Sequence, residues 1–173
     1  KQTGYPVLDA GIARHTDGID VTLSQRRFLY ESILGESGED DTLWHVPVGV
    51  RAAGDDRPVS LLMEEPQATV RLAGAPRSSP DDWVKVNPLQ TGFYRVKYPS
   101  EELERLKAPI RGLALPPADR LGIQNDAYAL SRSGLLPVTQ FLSLAQAYQN
   151  ETDASVWGDL ASNLRDIDQL LAN

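Results

Sequence analysis

Few residues in this chain are of a type that does chemistry, and their spacing narrows what they can do. There are two histidines, His15 and His45, and no cysteine. Without a thiol there is neither a cysteine nucleophile nor a thiolate metal site. A catalytic zinc takes three protein ligands, commonly two of them from HExxH on one helix face, and HExxH does not occur. His15 falls in the polar stretch ARHTDG. His45 falls between Trp44 and Val46, on the strand face opposite the apolar stripe. Both are expected as surface or partly buried side chains. The nucleophile elbow GxSxG and the phosphate loops GxxxxGK[ST] and GxGxxG are missing as well. Acids stand in neighbouring pairs at Asp40–Asp41, Glu64–Glu65, Asp81–Asp82 and Glu101–Glu102. Catalytic carboxylates need a cleft that separates their pKa values, whereas adjacent acids on loops and helix starts are expected in solvent. Asn150-Glu151-Thr152 matches N-x-[ST], which matters only in a secretory setting. One polar cluster stands apart. DRLGIQNDAYALSRSG puts Asp119, Arg120, Gln124, Asp126 and Arg132 on one helix. Arg120 with Gln124 and Asp126 would pair across a joint between domains or hold one end of a substrate. Structural ion pairs being the commoner, the joint is the expectation.

The elements that would position these residues change character near Pro99. Before it the apolar period is two: Ile19, Val21 and Leu23 alternate with Asp20, Thr22 and Ser24, and Trp44, Val46, Val48 and Val50 with His45, Pro47 and Gly49. With YPVLDAGI and the runs at 59–63, 68–72, 83–86 and 93–98, this predicts about seven short strands in an antiparallel β-sandwich. GESGEDDT, 35–42, reads as an acidic loop. WVKVNPLQTGFYRVKY reads as strand, turn, strand, a hairpin closing the sandwich. Gly92 would supply turn freedom, with Tyr94, Val96 and Tyr98 on one side and Phe93, Arg95 and Lys97 on the other. After Pro99 the period is helical. Ser100 is the expected N-cap of a first helix, with Glu101 and Glu102 in its first turn. A second helix runs from Pro117 to Ser133 with Gly134 as C′ residue. A third starts near Pro137 with Val138, Phe141, Leu142, Ala145 and Tyr148 on one face. A fourth starts near Asp153 with Val156, Trp157, Leu160, Leu164, Ile167 and Leu171 as its stripe. The fold class is thus a mixed one, mainly β then α: a sandwich over 1–98 and the first helices of an α-solenoid-like array over 99–173.

Composition bounds the rest. With 173 residues, 41% hydrophobic and 24% charged, the chain has material for a real core. A net charge of −7 argues against a nucleic-acid partner. No stretch is apolar for long enough to span a membrane, and KQTGYPVL lacks a signal-peptide core. The only methionine is Met63, and DIDQLLAN breaks off inside an amphipathic pattern, so a piece of a longer chain is expected.

WVKVNPLQTGFYRVKY followed by LPPADRLGIQNDAYALSRSGLLPV resembles the zinc aminopeptidases of the puromycin-sensitive and aminopeptidase N type. KQTGYPVL, VTLSQRRFL and ETDASVWGDLASNL fit the same pattern in order. The resemblance implies four parts in the parent: an N-terminal β domain, a thermolysin-like catalytic domain, a small β-sandwich and a helical superhelix. Residues 1–7 would be the tail of the catalytic domain. The parent's zinc, held by HExxH and a downstream Glu, its amine-binding loop and its catalytic Tyr have no counterpart here. LMEEP around Met63 does not match the amine-binding loop. No catalytic, cofactor or metal residue is therefore carried over. Gly92, Tyr94, Arg95, Asp119, Arg120 and Asp126 are expected as a structural joint. The implied role is a non-catalytic segment, spacer and chamber wall, of an enzyme that removes N-terminal amino acids from peptides. Its partners would be the catalytic domain and remaining helices, with peptide substrates reached through the parent and self-association of the isolated piece. A cytosolic location is expected from the missing cysteines and the puromycin-sensitive likeness. The alternative is a free-standing β-sandwich interaction module working through an edge strand or apolar patch.

Overall fold

The structure is a computed structural model describing residues 4–28, 42–74, 79 and 81–171. Among the described residues seven strands come first: β1 (Pro6–His15), β2 (Gly18–Arg27), β3 (Val46–Ala52), β4 (Val59–Met63), β5 (Gln67–Ala73), β6 (Val84–Val86) and β7 (Arg95–Lys97). Four helices follow: α1 (Ser100–Arg111), α2 (Pro117–Arg132), α3 (Val138–Ala145) and α4 (Ala154–Leu171). The strands form two sheets, ordered β5-β2-β1-β7 and β4-β3-β6. Alternating residues turn inward: Ile19, Val21 and Leu23 from β2, Val70 and Leu72 from β5, Val46, Val48 and Val50 from β3. The same core continues through Leu103, Leu106 and Ile110 of α1, Ile123, Ala127 and Leu130 of α2, Phe141, and Val156 and Leu160 of α4.

Several expectations are corrected. β6 and β7 do not form a hairpin. β6 pairs antiparallel with β3, while β7 pairs with β1 in the other sheet and parallel to it. The stretch between them is a crossover from sheet to sheet, and the sandwich is not wholly antiparallel. The left-handed backbone it needs falls on Asn87, Leu89 and Gln90, with φ of 59°, 59° and 55°, and not on Gly92. His15, expected in a loop, is the last residue of β1. Trp44 and His45 precede β3 and do not belong to it. Pro99 occupies the N-cap of α1 and Ser100 is its first helical residue. The Ser100 hydroxyl instead accepts a hydrogen bond from Gln140 Nε2 at 2.7 Å. On α3 the chain tightens into a 3-10 turn at Gln146–Asn150. The inward residues of α3 and that turn are Phe141, Leu144, Ala147 and Tyr148, and Val138 is at the surface. Trp157, expected in the α4 stripe, is 42% exposed. Gly134 ends α2 with φ 73°, as expected of a C′ glycine. The acidic loop expected over 35–42 lies outside the described residues except for Thr42.

Candidate functional site: three helix carboxylates at the sheet–helix joint

β6, the crossover after it and β7 each leave a backbone amide that no neighbouring strand takes up, and buried amides must find acceptors. Three side chains of α1 and α2 supply them. Glu102 Oε1 accepts from Val84 N at 2.6 Å. Asp119 Oδ1 accepts from Leu89 N at 2.6 Å. Asp126 Oδ2 accepts from Val96 N at 3.0 Å. All three carboxylates are buried. Each also faces a cation from a strand: Arg14 Nη2 donates to Glu102 Oε2 at 2.6 Å, and Arg95 Nη1 to Asp126 Oδ1 at 3.2 Å. Lys85 Nζ and Arg51 Nη2 each stand 3.8 Å from Asp119. The unit repeats three times: one carboxylate from a helix, one amide from β6, the crossover or β7, and basic groups from the sheets.

Electrostatics follow from the burial. Desolvation pushes the Asp126 carboxyl up to about 6, against the pull of Arg95, the Val96 amide and Lys85. Burial likewise raises Glu102, opposed by Arg14 and the Val84 amide. Burial brings the Lys85 ammonium down to about 8, opposed by Asp119 and Asp126. Lys85 is 1% exposed, and its Nζ donates to the carbonyls of Val86 and Asn87. Arg95 also lies over the rings of Tyr5 and Phe28 and donates from Nε to the Tyr5 hydroxyl at 3.1 Å.

The crossover is braced from within. Asn87 Nδ2 donates to Gly92 O at 2.9 Å and Gly92 N donates to Asn87 Oδ1 at 2.8 Å. Gly92 has to be glycine because of close approach: a Cβ there would sit 2.1 Å from Cε1 of buried Tyr94. Burial pushes the Tyr94 phenol above its usual range. Tyr98, on the same side as Tyr94 and Val96, donates its hydroxyl to Val86 O at 3.2 Å and accepts from Val86 N at 2.9 Å.

Of the residues singled out in the sequence, Gly92, Tyr94, Arg95 and Asp126 come together around one cleft of about 430 Å³. Asp119 lies two helical turns away on the same face of α2, under Leu89. Arg120 does not join them. It forms a buried two-point pair with Glu151, at 2.6 and 2.7 Å, tying α2 to the turn before α4. Gln124 likewise turns to α4, donating to Val156 O at 3.0 Å. Lys85 and Glu102 were missed in the sequence. Glu102 precedes buried Leu106 by four residues, so the apolar face of α1 contains it, and that spacing was the signal. Lys85 alternates outward from Val84 and Val86, and nothing in the strand foretells the helix covering it.

The histidines stay apart: His15 Nε2 is 3.2 Å from Asp20 Oδ2 and His45 Nδ1 is 3.6 Å from Glu64 Oε1, both at the surface. Among the described residues no three His, Asp or Glu side chains are grouped to hold a metal ion. The residues present therefore do not fit the zinc that the resemblance implies for the parent. No helix among them is long and apolar enough to cross a membrane.

Comparison with known proteins bears on what such a joint belongs to. The family model of the ERAP1-like C-terminal domain matches residues 83–173. That segment holds all three carboxylates and all three amides they accept. The puromycin-sensitive aminopeptidase of Caenorhabditis elegans is 33% identical over 162 residues, covering 91% of this chain and 16% of that protein. Aminopeptidase M1-B of Oryza sativa subsp. japonica is 34% identical over 177 residues, covering 98% and 19%. Aminopeptidase M1 of Arabidopsis thaliana is 32% identical over 170 residues, covering 92% and 18%. The chain spans less than a fifth of the length of these curated relatives.

Proposed function

Because the chain belongs to the ERAP1-like C-terminal domain family, we propose that it is a non-catalytic segment of a zinc aminopeptidase that removes N-terminal amino acids from peptides. The strands act as a spacer and the helices as the start of a wall around the active-site chamber. One observation carries this reading. The buried carboxylates of α1 and α2 are committed to backbone amides of β6, the crossover and β7 and to basic groups of the sheets. They serve to hold one layer against the other, not to meet a substrate. Gly92, Tyr94, Arg95, Asp119 and Asp126 are the joint between sheets and helices, and Arg120 secures α2 to the helices that follow. The partners are the catalytic domain and remaining helices of the parent, whose peptide substrates this segment meets only through them. The exposed Val138 and Leu170 support self-association of the isolated chain. A cytosolic location goes with the puromycin-sensitive likeness.

The test measures intact mass, zinc content and hydrolysis of alanine and leucine chromogenic amides on the 173-residue chain and on a parent that contains it. The expected result is zinc and turnover in the parent only. Stoichiometric zinc and turnover in the 173-residue chain would overturn the reading. A stable monomer that captures one specific partner while the parent is inactive would favour the free-standing interaction module.

A further inference from the structure

The sheet β4-β3-β6 is closed on one side only. At its β6 end Glu102 and the Tyr98 hydroxyl take the outward amides of Val84 and Val86. At the other end no strand lies beside β4 among the described residues. Which of its backbone groups stay open follows from the ladder. Asn87 N donates to Gly49 O and Ala53 N to Trp83 O, both at 2.9 Å, so Gly49 and Ala53, and Arg51 between them, face β6. Val46, Val48 and Val50 therefore face β4 and engage Met63, Leu61 and Val59. Ser60 and Leu62 are left aiming their N–H and C=O groups outward. The strand VSLLM holds no charge, and its Val59 and Leu62 side chains are exposed. An edge of this kind is open to pairing with a further strand. We propose that it pairs with itself: β4 lies antiparallel to β4 of a second copy of this chain, about a two-fold axis at Leu61.

The charges flanking the strand choose both the occupant and the register. Arg57 before β4 and Glu65 after it are exposed, and neither side chain has a hydrogen-bond or ion-pair partner among the described residues. With the axis at Leu61, Ser60 lies opposite Leu62 of the second copy, and these residues exchange their open backbone bonds. Carried two residues past each end of the strand, the same register sets Arg57 opposite Glu65 of the second copy, and the symmetry makes that pair twice. An axis at Ser60 would instead set Asp56 against Glu64. An axis at Leu62 would set Arg57 against Gln67 and Glu65 against Val59. Only the Leu61 register pairs the free charges with their opposites, and it joins two three-stranded sheets into one continuous sheet. The dimer does not depend on the aminopeptidase reading, and it uses a different face from Val138 and Leu170.

The experiment is sedimentation equilibrium on the 173-residue chain. Five residues paired edge to edge make an interface smaller than the ~1,000 Å² of stable complexes, so a weak dimer with a Kd on the order of 100 μM is expected. Arg57→Glu and Glu65→Arg each set like charges opposite one another at both ends and should weaken it roughly tenfold. Both side chains are exposed and unpaired in their own chain, so neither change threatens the fold. The double variant, and an equimolar mixture of the two single variants, should regain the original affinity. The chain has no other cysteine, so Leu61→Cys should form a disulfide across the axis and Leu62→Cys should not. A monomer at every concentration would overturn the β4 dimer. So would association indifferent to the single reversals, as contact through Val138 and Leu170 would be, a double variant that stays weak, or equal cross-linking at 61 and 62.

Discussion

At Gly92 and Gly122 the absence of a side chain has different consequences. A Cβ on Gly92 would strike the ring of Tyr94, which is buried and has nowhere to turn. A Cβ on Gly122 would strike the amide of Gln90, at 1.9 Å, which is the far end of a longer side chain that can swing aside. Gly92→Ala is therefore expected to lower stability by about 2 kcal/mol, within the range for overpacking, and Gly122→Ala by less. Urea midpoints read the order, and equal midpoints would contradict it. The neighbours Glu101 and Glu102 give a second contrast. Glu101 is 77% exposed and pairs with Arg105 at 3.1 Å on the surface, an interaction of at most ~1 kcal/mol. Glu102→Ala leaves the Val84 amide without its acceptor and Arg14 with the Asp82 carbonyl but no counter-charge, and should cost roughly 3 kcal/mol. A loss at Glu101 as large as that at Glu102 would sink this account.

The helices carry the joint as elements, and α2 does so on two faces at once. Asp119 and Asp126, two turns apart, serve the crossover. Arg120 and Gln124 serve Glu151 and Val156 on the other side. The charge opposite Asp119 sets a pH dependence of its own. The folded-state pKa of Lys85 is depressed to about 8, so between there and its ordinary value of about 10.4 the unfolded chain binds the proton that the folded chain has lost. Stability should accordingly rise with pH through the window starting near 8, by up to ~1.4 kcal/mol per unit, until the tyrosines of the unfolded chain begin to ionise near their ordinary value of about 10. Urea unfolding at pH 7.5 and 9 measures it, and a fall over that interval would refute it. Much of this layer was legible beforehand. The period-two runs of β2 and β3 and the stripe of α4 through Val156, Leu160 and Ile167 follow directly from one-sided burial. The partners were not. β6 and β7 are three residues each, too short for alternation to reveal that they belong to different sheets. Nor does any local signal place Leu89 and Gln90 in a left-handed backbone that their side chains disfavour. The polar cluster on α2 could be read as a joint, but which amide each carboxylate accepts depends on residues far along the chain.

On the scale of the whole molecule, strands and helices share one apolar core and are bound by three buried ionic brackets. Unfolding should then be a single event. Trp44 and Trp83 report on the sheets and Trp157 on the helices. Fluorescence of variants retaining one tryptophan each should lose structure at the same urea concentration, and separated midpoints would show that the layers are independent. The division of the chain at 98/99 meets a harder test. A chain cut after Tyr98 retains all seven strands, yet its Val84, Leu89 and Val96 amides lose their acceptors. It is expected to lack the sharp amide NMR spectrum of the full chain, and a well-dispersed spectrum from residues 1–98 would contradict this.

The distances along the chain between amide and acceptor set an order of events during synthesis. Val84 waits 18 residues for Glu102, Leu89 waits 30 for Asp119, and Val96 waits 30 for Asp126. An emerging chain therefore leaves the outer edge of its last strand and the Leu89 amide of the crossover without their acceptors until α2 has left the ribosome. An edge strand in that condition is open to pairing with another chain. The two-sheet layer is thus completed from downstream, and translational pausing anywhere between residues 98 and 126 prolongs the interval in which a nascent chain can aggregate.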